Sequence, residues 1–140
     1  QGWFSSLVPM YIKKIYAEDP LFENVKVIYS IFDNSFKGVL GTDLTEKLLF
    51  ENLHENDVAG IKKSNINNLH KFAIDYADAI VLANSNISKN LQEYIKSSGK
   101  PFMQYPGAEE YIEKYQDFYG QFMEKKELQS ESKLKTLIED

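Results

Sequence analysis

The sequence contains no arginine and no cysteine, and each absence excludes a class of site. All sixteen positive charges are lysines, and the formal net charge is −5. Arginine is the preferred residue for bidentate phosphate contacts, and cationic contacts with phosphate supply most nucleic-acid affinity. We therefore expect no nucleic-acid partner. Without cysteine, the chain has no disulfide, thiolate metal site or cysteine nucleophile.

Long hydrophobic runs and catalytic signature motifs are also missing. No apolar run approaches the roughly 18 residues of a membrane-spanning helix, so no membrane association is expected. The chain has no P-loop, GxGxxG, HExxH or GxSxG motif. Its two histidines, His54 and His70, are interpreted as surface or packing residues. No metal and no cofactor is expected.

Aromatic and β-branched residues follow a pattern in which helices and strands alternate. Strands are predicted over residues 25–31, 79–83 and 101–105. The middle strand, AIVLA, is a continuous apolar run, which is typical of a strand covered on both faces. Alternation of this kind implies parallel strands joined by helical crossovers. We therefore predict an α/β fold, a Rossmann-like three-layer sandwich with a parallel sheet.

The predicted helices lie before, between and after these strands. Apolar residues from Trp3 to Tyr16 repeat at helical spacing until an Asp-Pro pair ends the helix. A second amphipathic helix covers residues 66–76, and a third is capped by Ser85 or Ser88. From Glu109 a longer helix carries an aromatic stripe, which is more typical of a core face than of a sugar platform.

The segment VKVIYSIFDNSFKG, residues 25–38, changes from a strand into a polar loop. Open α/β folds bind their ligands where such strands end. The residue at the strand tip is Phe32, which can neither donate nor accept a proton. Two interpretations stay open. Phe32 offers a stacking face in a weak ligand site, or it packs inward and the loop has lost its function.

The stretch QGWFSSLVPMYIKKIYAEDPLFENVKVIYSIFDNSFKGVL resembles the glycogen and starch synthases of glycosyltransferase family 5. That family has a His-x-Trp triplet, then LVP and a helix, then a DP-F-NVKV approach to a strand. The family also has an LKAGI-YAD helix followed by a strand, and this chain has a similar stretch, LHKFAIDYADAIVLANS. In the family that strand ends in Val-Ser-Pro, whereas here it ends in Ala83-Asn84-Ser85. The order and approximate spacing agree over residues 1 to about 95. KSSGKPFMQYPGAEEYIEKYQDFY resembles short, single-domain relatives.

The resemblance implies half of the N-terminal domain of a GT-B fold, in which two Rossmann-like domains face each other across a cleft. Residues 1–123 would be the partial glycosyltransferase domain, and residues 124–140 a charged helical tail. The intact family transfers glucose from a nucleotide sugar, ADP-glucose or UDP-glucose, to an α-1,4-glucan. We expect a cytoplasmic piece of a longer polypeptide that is inactive alone. The alternatives are a non-catalytic descendant that binds glucan or a protein, and an unrelated Rossmann-like domain.

The polar residues that the family places against substrate are changed in this chain. The family's pocket histidine falls on Gln1, its strand-tip His-Asn pair falls on Phe32 and Asp33, and Trp3 is kept. An aromatic-Gln-Gly turn becomes residues 36–38. No catalytic residue is assigned. By resemblance, the substrate-binding residues are Gln1, Trp3, Phe32, Asp33, Asn34 and Lys37.

A sheet of three strands also leaves an edge to be covered. In the family, further sequence would lie over Trp3, Phe4 and the strand at residues 25–31. Open edges and exposed apolar patches favour association. We therefore expect the chain to form a homo-oligomer through the open sheet edge.

Overall fold

The computed structural model describes residues 2–32, 38–41, 43–49 and 53–123. The chain folds as two compact units, Gln1–Tyr105 and Pro106–Asp140. In the first unit, a 3-10 turn (Trp3–Ser5) precedes α1 (Val8–Met10), which continues as a π-helical turn (Tyr11–Ile15). The elements that follow are β1 (Ile28–Ile31), α2 (Leu44–Leu48), a second 3-10 turn (Ala59–Ile61), α3 (Ile66–Tyr76), β2 (Ala79–Leu82), α4 (Lys89–Ser97) and β3 (Phe102–Met103).

The three strands form one sheet in the order β1-β2-β3, with helices flanking it. Both strand pairs are parallel, with Ile28 beside Ala79 and Ile80 beside Phe102. This confirms the α/β class and the parallel sheet that the alternating pattern predicts. Every residue of β2 is buried, as expected for a strand covered on both faces.

Two clusters of buried side chains share helix α3. The first joins β1, β2, α3 and α4, and it contains Ala73 and Ile74 from α3. The second packs α3 against α1, α2 and residues 53–61, and it contains Leu69 and Phe72. Because α3 is apolar on two sides, it is held by packing rather than by helix propensity alone.

Both ends of α3 are capped by side chains. At the start, Asn65 Oδ1 accepts the N–H of Asn68 at 2.9 Å. At the end, Lys100 Nζ donates to the carbonyls of Ile74, Asp75 and Ala77 at 2.6, 2.6 and 2.7 Å. The last carbonyls of a helix lack partners within it and carry partial negative charge, so a lysine stabilises them. Burial lowers the pKa of Lys100, although the charge of Asp75 opposes this shift.

Asp78 links the starts of β1 and β2. Its Oδ2 accepts the N–H of Val27 at 2.7 Å and lies 2.7 Å from Lys13 Nζ. In return, the Val27 carbonyl accepts the N–H of Asp78 at 2.8 Å. Burial alone would raise the pKa of the Asp78 carboxyl. The hydrogen bonds from Lys13 and Val27 outweigh burial, so its pKa is lowered.

The first helix is less regular than its spacing predicts. Pro9 has no N–H, so it is tolerated only in the first turn, and the α-helical part begins one residue before it. At the other end, the N–H of Tyr16 donates to the carbonyl of Tyr11 at 3.0 Å. A bond across five residues makes a π turn. The helix ends at Ile15, before the Asp-Pro pair that the sequence marks as its stop.

The second unit is described over residues 106–123 and is helical over residues 111–123, which we label α5. Tyr111, Tyr115 and Tyr119 are in edge-to-face contact, with ring centroids 6.2 and 5.7 Å apart. The predicted helical tail, residues 124–140, lies outside the described residues. Within the described ranges, no helix is both long and apolar enough to cross a membrane.

Replacing Asp78 with alanine is expected to lower the free energy of unfolding by about 2 kcal/mol. The Val27 amide would lose an ionised acceptor and Lys13 its partner. Denaturant unfolding followed by circular dichroism measures the change. Asp43→Ala is the matched control, because the Asp43 carboxylate pairs with Lys47 on an exposed helix face and such pairs contribute little. Equal losses in the two variants would contradict the role assigned to Asp78.

Candidate functional site

The carboxyl ends of β1 and β2 meet at one edge of the sheet, here called the carboxyl edge. The register places Ile31 beside Leu82, and the N–H of Ala83 donates to the carbonyl of Ile31 at 2.9 Å. Phe32 and the residues after Leu82 therefore leave the sheet side by side. In parallel α/β sheets, this is the edge at which ligands bind.

Of the predicted substrate-binding residues, the structure describes Trp3 and Phe32. Phe32 follows β1 directly and is half-buried. It belongs to neither of the two core clusters found among the described residues. Both interpretations of the Phe32 ring stay predictions. The other predicted residues, Gln1, Asp33, Asn34 and Lys37, lie outside the described residues.

Trp3 is brought to β1 by its neighbour Gly2. The N–H of Gly2 donates to the carbonyl of Ser30 at 2.9 Å, and the carbonyl of Gly2 accepts the hydroxyl of Tyr29 at 2.9 Å. Gly2 has φ = 68°, a conformation that side-chain-bearing residues rarely adopt. Trp3 is partly buried against the second core cluster, and its ring meets the edge of Phe4 at 5.8 Å.

Tyr29 also pairs with His70 inside the protein. The Tyr29 hydroxyl lies 2.8 Å from His70 Nδ1. Because the Gly2 carbonyl can only accept, the hydroxyl donates its proton there and must accept from His70, whose neutral ring therefore carries its proton on Nδ1. Burial raises the pKa of Tyr29 well above its ordinary range and lowers the pKa of His70 to about 4. Both side chains are neutral at neutral pH.

The sequence patterns did not identify this pair. His70 was interpreted as a surface or packing residue, and it is 3% exposed. Its position four residues after Ile66 and four before Ile74 places it on the apolar side of α3, which is a signal for burial. Its partner is 41 positions away, so no local spacing could reveal the hydrogen bond.

The loop after β2 adds polar side chains to the carboxyl edge. Asn84 Oδ1 accepts the N–H of Asn86 at 2.8 Å, and Ser85 and Asn86 are exposed. Ser88 Oγ accepts the N–H of Leu91, so Ser88 is the helix cap of the two that were predicted. None of the described residues directly after these strands, Phe32 and 83–86, carries a titratable group. Phe32 and residues 83–86 thus give this part of the edge one aromatic ring and neutral polar groups, a composition suited to binding a neutral ligand.

Comparisons with known proteins place this sheet within a known family model. The model described as "Starch synthase catalytic domain" matches residues 1–102, a range that contains Gly2, the carboxyl edge and all of β1 and β2. The chain is 23% identical over 90 residues to the glycogen synthase of Desulfitobacterium hafniense (strain DSM 10664 / DCB-2), covering 64% of this chain and 19% of that protein.

A second relative is the glycogen synthase of Koribacter versatilis (strain Ellin345), which is 30% identical over 47 residues. That match covers 34% of this chain and 10% of the relative. The chain therefore spans about a fifth of the first relative and a tenth of the second. No solved structure gives a significant match.

Acidification from pH 6.5 to pH 4 is expected to lower the free energy of unfolding by about 3 kcal/mol through His70. In the folded chain the pKa of His70 is lowered from 6.5 to about 4, so within this window the unfolded state binds a proton that the folded state does not. Stability from this residue is therefore complete above the window and lost as the pH falls through it. Denaturant unfolding at several pH values measures the slope.

Two variants separate the contribution of His70 to this pH dependence from the contributions of other residues. His70→Gln keeps a donor for Tyr29 but cannot titrate, so it should flatten the slope. His54→Gln removes the other histidine and should keep the slope. The carboxyl groups whose pKa is lowered from 3.8, those of Asp43, Asp57 and Asp78, affect stability only below about pH 5, so the variants are compared between pH 6.5 and 5. An unchanged slope in His70→Gln would contradict the prediction.

Proposed function

The chain belongs to the family of starch synthase catalytic domains, and we propose that it supplies the glucan-binding side of such a domain. The proposed ligand is an α-1,4-linked glucose chain, bound at the carboxyl edge of β1 and β2. One observation supports this most directly: the family match covers the edge at which Phe32 and the polar loop after β2 leave the sheet together. The nucleotide-sugar donor, ADP-glucose or UDP-glucose, would be held mainly by a second domain.

The described side chains at this edge suit a sugar. A glucose ring has an apolar C–H face, which stacks on an aromatic ring, and a rim of hydroxyl groups that need donors and acceptors. Phe32 offers the ring, and Asn84 and Ser85 offer neutral polar groups. In the proposal, Gln1, Asp33, Asn34 and Lys37 add hydrogen-bonding groups, and Trp3 adds a second ring. A few such contacts correspond to millimolar affinity, about −4 kcal/mol.

Glucosyl transfer by these 140 residues alone is not part of the proposal. Removing one donor to the charge that develops in a transition state commonly costs about 10²–10³ in rate. By resemblance, two such positions are changed, to Gln1 and Phe32. The chain also corresponds to only 19% of the glycogen synthase of D. hafniense, so most of that protein has no counterpart here.

A second candidate function is a protein-interaction module built on the same fold. It is favoured by the exposure of large apolar side chains, since Phe4 is 88% and Leu21 is 81% exposed. Exposed apolar groups of this kind favour association with other proteins. The self-association expected from the sequence belongs to this candidate and stays a prediction.

The isolated chain is expected to transfer no glucose. Labelled ADP-glucose or UDP-glucose is incubated with glycogen and the 140-residue chain, and label in the polymer is counted. The expected count equals that of a boiled control, because the donor site is supplied elsewhere and the strand tip carries Phe32. Incorporation above the control would refute the non-catalytic part of the proposal.

Maltohexaose is expected to bind at millimolar concentration and to shift the amide signals of residues 31–32 and 83–86 in a two-dimensional NMR titration. Phe32→Ala should weaken binding by about five-fold, because a stacked ring contributes on the order of 1 kcal/mol. Phe22→Ala is the matched control. Its ring lies in the segment that enters β1 and contacts Tyr16 at 5.3 Å. Equal effects of the two variants, or no shifts at tens of millimolar, would contradict a sugar site here.

A further inference from the structure

We propose that Tyr29 and His70 are positioning residues, which hold Gly2 against β1 and so fix the place of Trp3 next to this strand. Three hydrogen bonds meet at this point. They join Gly2 N–H to the Ser30 carbonyl, the Tyr29 hydroxyl to the Gly2 carbonyl, and His70 Nδ1–H to the Tyr29 hydroxyl, at 2.9, 2.9 and 2.8 Å. The segment before α1 is thereby tied to β1 and, through His70, to α3.

These three hydrogen bonds, here called the Gly2 clamp, depend on the backbone of Gly2. Two consecutive residues of β1, Tyr29 and Ser30, bind its carbonyl and its amide respectively. At this point the backbone of Gly2 has φ = 68°, which glycine adopts without strain and other residues rarely adopt. The Gly2 carbonyl also accepts the N–H of Ser5 at 3.2 Å, so the clamp holds the whole Trp3–Ser5 turn.

Packing alone does not account for a tyrosine and a histidine at this place. Both are only 3% exposed, and burying two polar side chains costs free energy unless each finds a partner. A phenylalanine and a leucine would fill similar space without that cost. Hydrogen bonds are directional, so the polar pair fixes the position of one particular carbonyl, which apolar packing would not do. That carbonyl belongs to the residue before Trp3.

The role of Trp3 at the edge rests on the proposed function. If the hydrogen bonds to Gly2 are lost, we expect the sugar affinity to fall while the fold is kept. Binding residues must be held within roughly 0.5 Å of their working geometry, so a loosened turn weakens the site. Tyr29→Phe removes the hydroxyl and keeps the ring. We expect it to weaken maltohexaose binding by up to about five-fold, the contribution of one stacked ring, and to shift the NMR signals of the Gly2 amide and the Trp3 indole in the unliganded chain.

Tyr76→Phe is the matched control, because the Tyr76 hydroxyl also donates to a backbone carbonyl, that of Asp57, at 3.1 Å. It should lose stability comparable to Tyr29→Phe and keep the affinity within two-fold. At position 70, His70→Gln retains a donor to Tyr29 and should keep the Gly2 and Trp3 signals near their wild-type positions. His70→Leu removes the donor and should shift them as Tyr29→Phe does.

The outcomes separate the positioning role from the proposed function. If the unaltered chain does not bind maltohexaose, the proposed function is wrong, and the Gly2 and Trp3 signals alone decide whether the pair positions this segment. Unchanged signals in Tyr29→Phe would overturn the inference whether or not sugar binds. So would equal losses of affinity in Tyr29→Phe and Tyr76→Phe. Shifted signals with a selective loss of affinity would support it.

Discussion

The reciprocal pairing of Val27 and Asp78 is the constraint on which the rest of the first unit depends. The Val27 amide binds the Asp78 carboxylate, and the Val27 carbonyl accepts the N–H groups of Asp78 and Ala79. This contact sets the register of β1 on β2, and a slip of one residue would turn every side chain of a strand to the opposite face. The same register decides which residues leave the strands together at the far end. The pairing of Phe32 with the loop after β2 is therefore a consequence of a contact at the other end of the sheet.

Helix α3 connects the sheet to the N-terminal segment. It contributes to both core clusters, and its last carbonyls are held by Lys100, which lies just before β3. His70 is on this helix, so the orientation of α3 determines the position of the Nδ1–H group that binds the Tyr29 hydroxyl. Close-packed protein interiors leave little room for small adjustments. The positions of Gly2 and Trp3 are thus coupled to the same framework that defines the carboxyl edge.

Prediction from sequence succeeded where the determinant was local. AIVLA is apolar at every position and is a fully buried strand, and the helix over residues 66–76 follows from its spacing. It was less successful for contacts between distant positions. The amines of Lys13 and Lys14 pair with Asp78 and Asp57 at 2.7 and 3.0 Å, and no local spacing indicates these partners. The Tyr29–His70 bond was missed for the same reason. The end of β1 at Ile31 was also located correctly, because the end of an apolar run is itself a local signal.

Binding and transfer make different physical demands on the carboxyl edge. Equilibrium binding of a neutral sugar needs an apolar face and uncharged hydrogen-bonding groups in fixed positions. Transfer also needs groups that stabilise the charge developing in the transition state, and these act only there. The backbone bonds at this edge, from Ala83 to Ile31 and from Gly2 to Ser30, do not involve the side chain at the strand tip. Phe32 can therefore stand at that tip without altering this backbone frame.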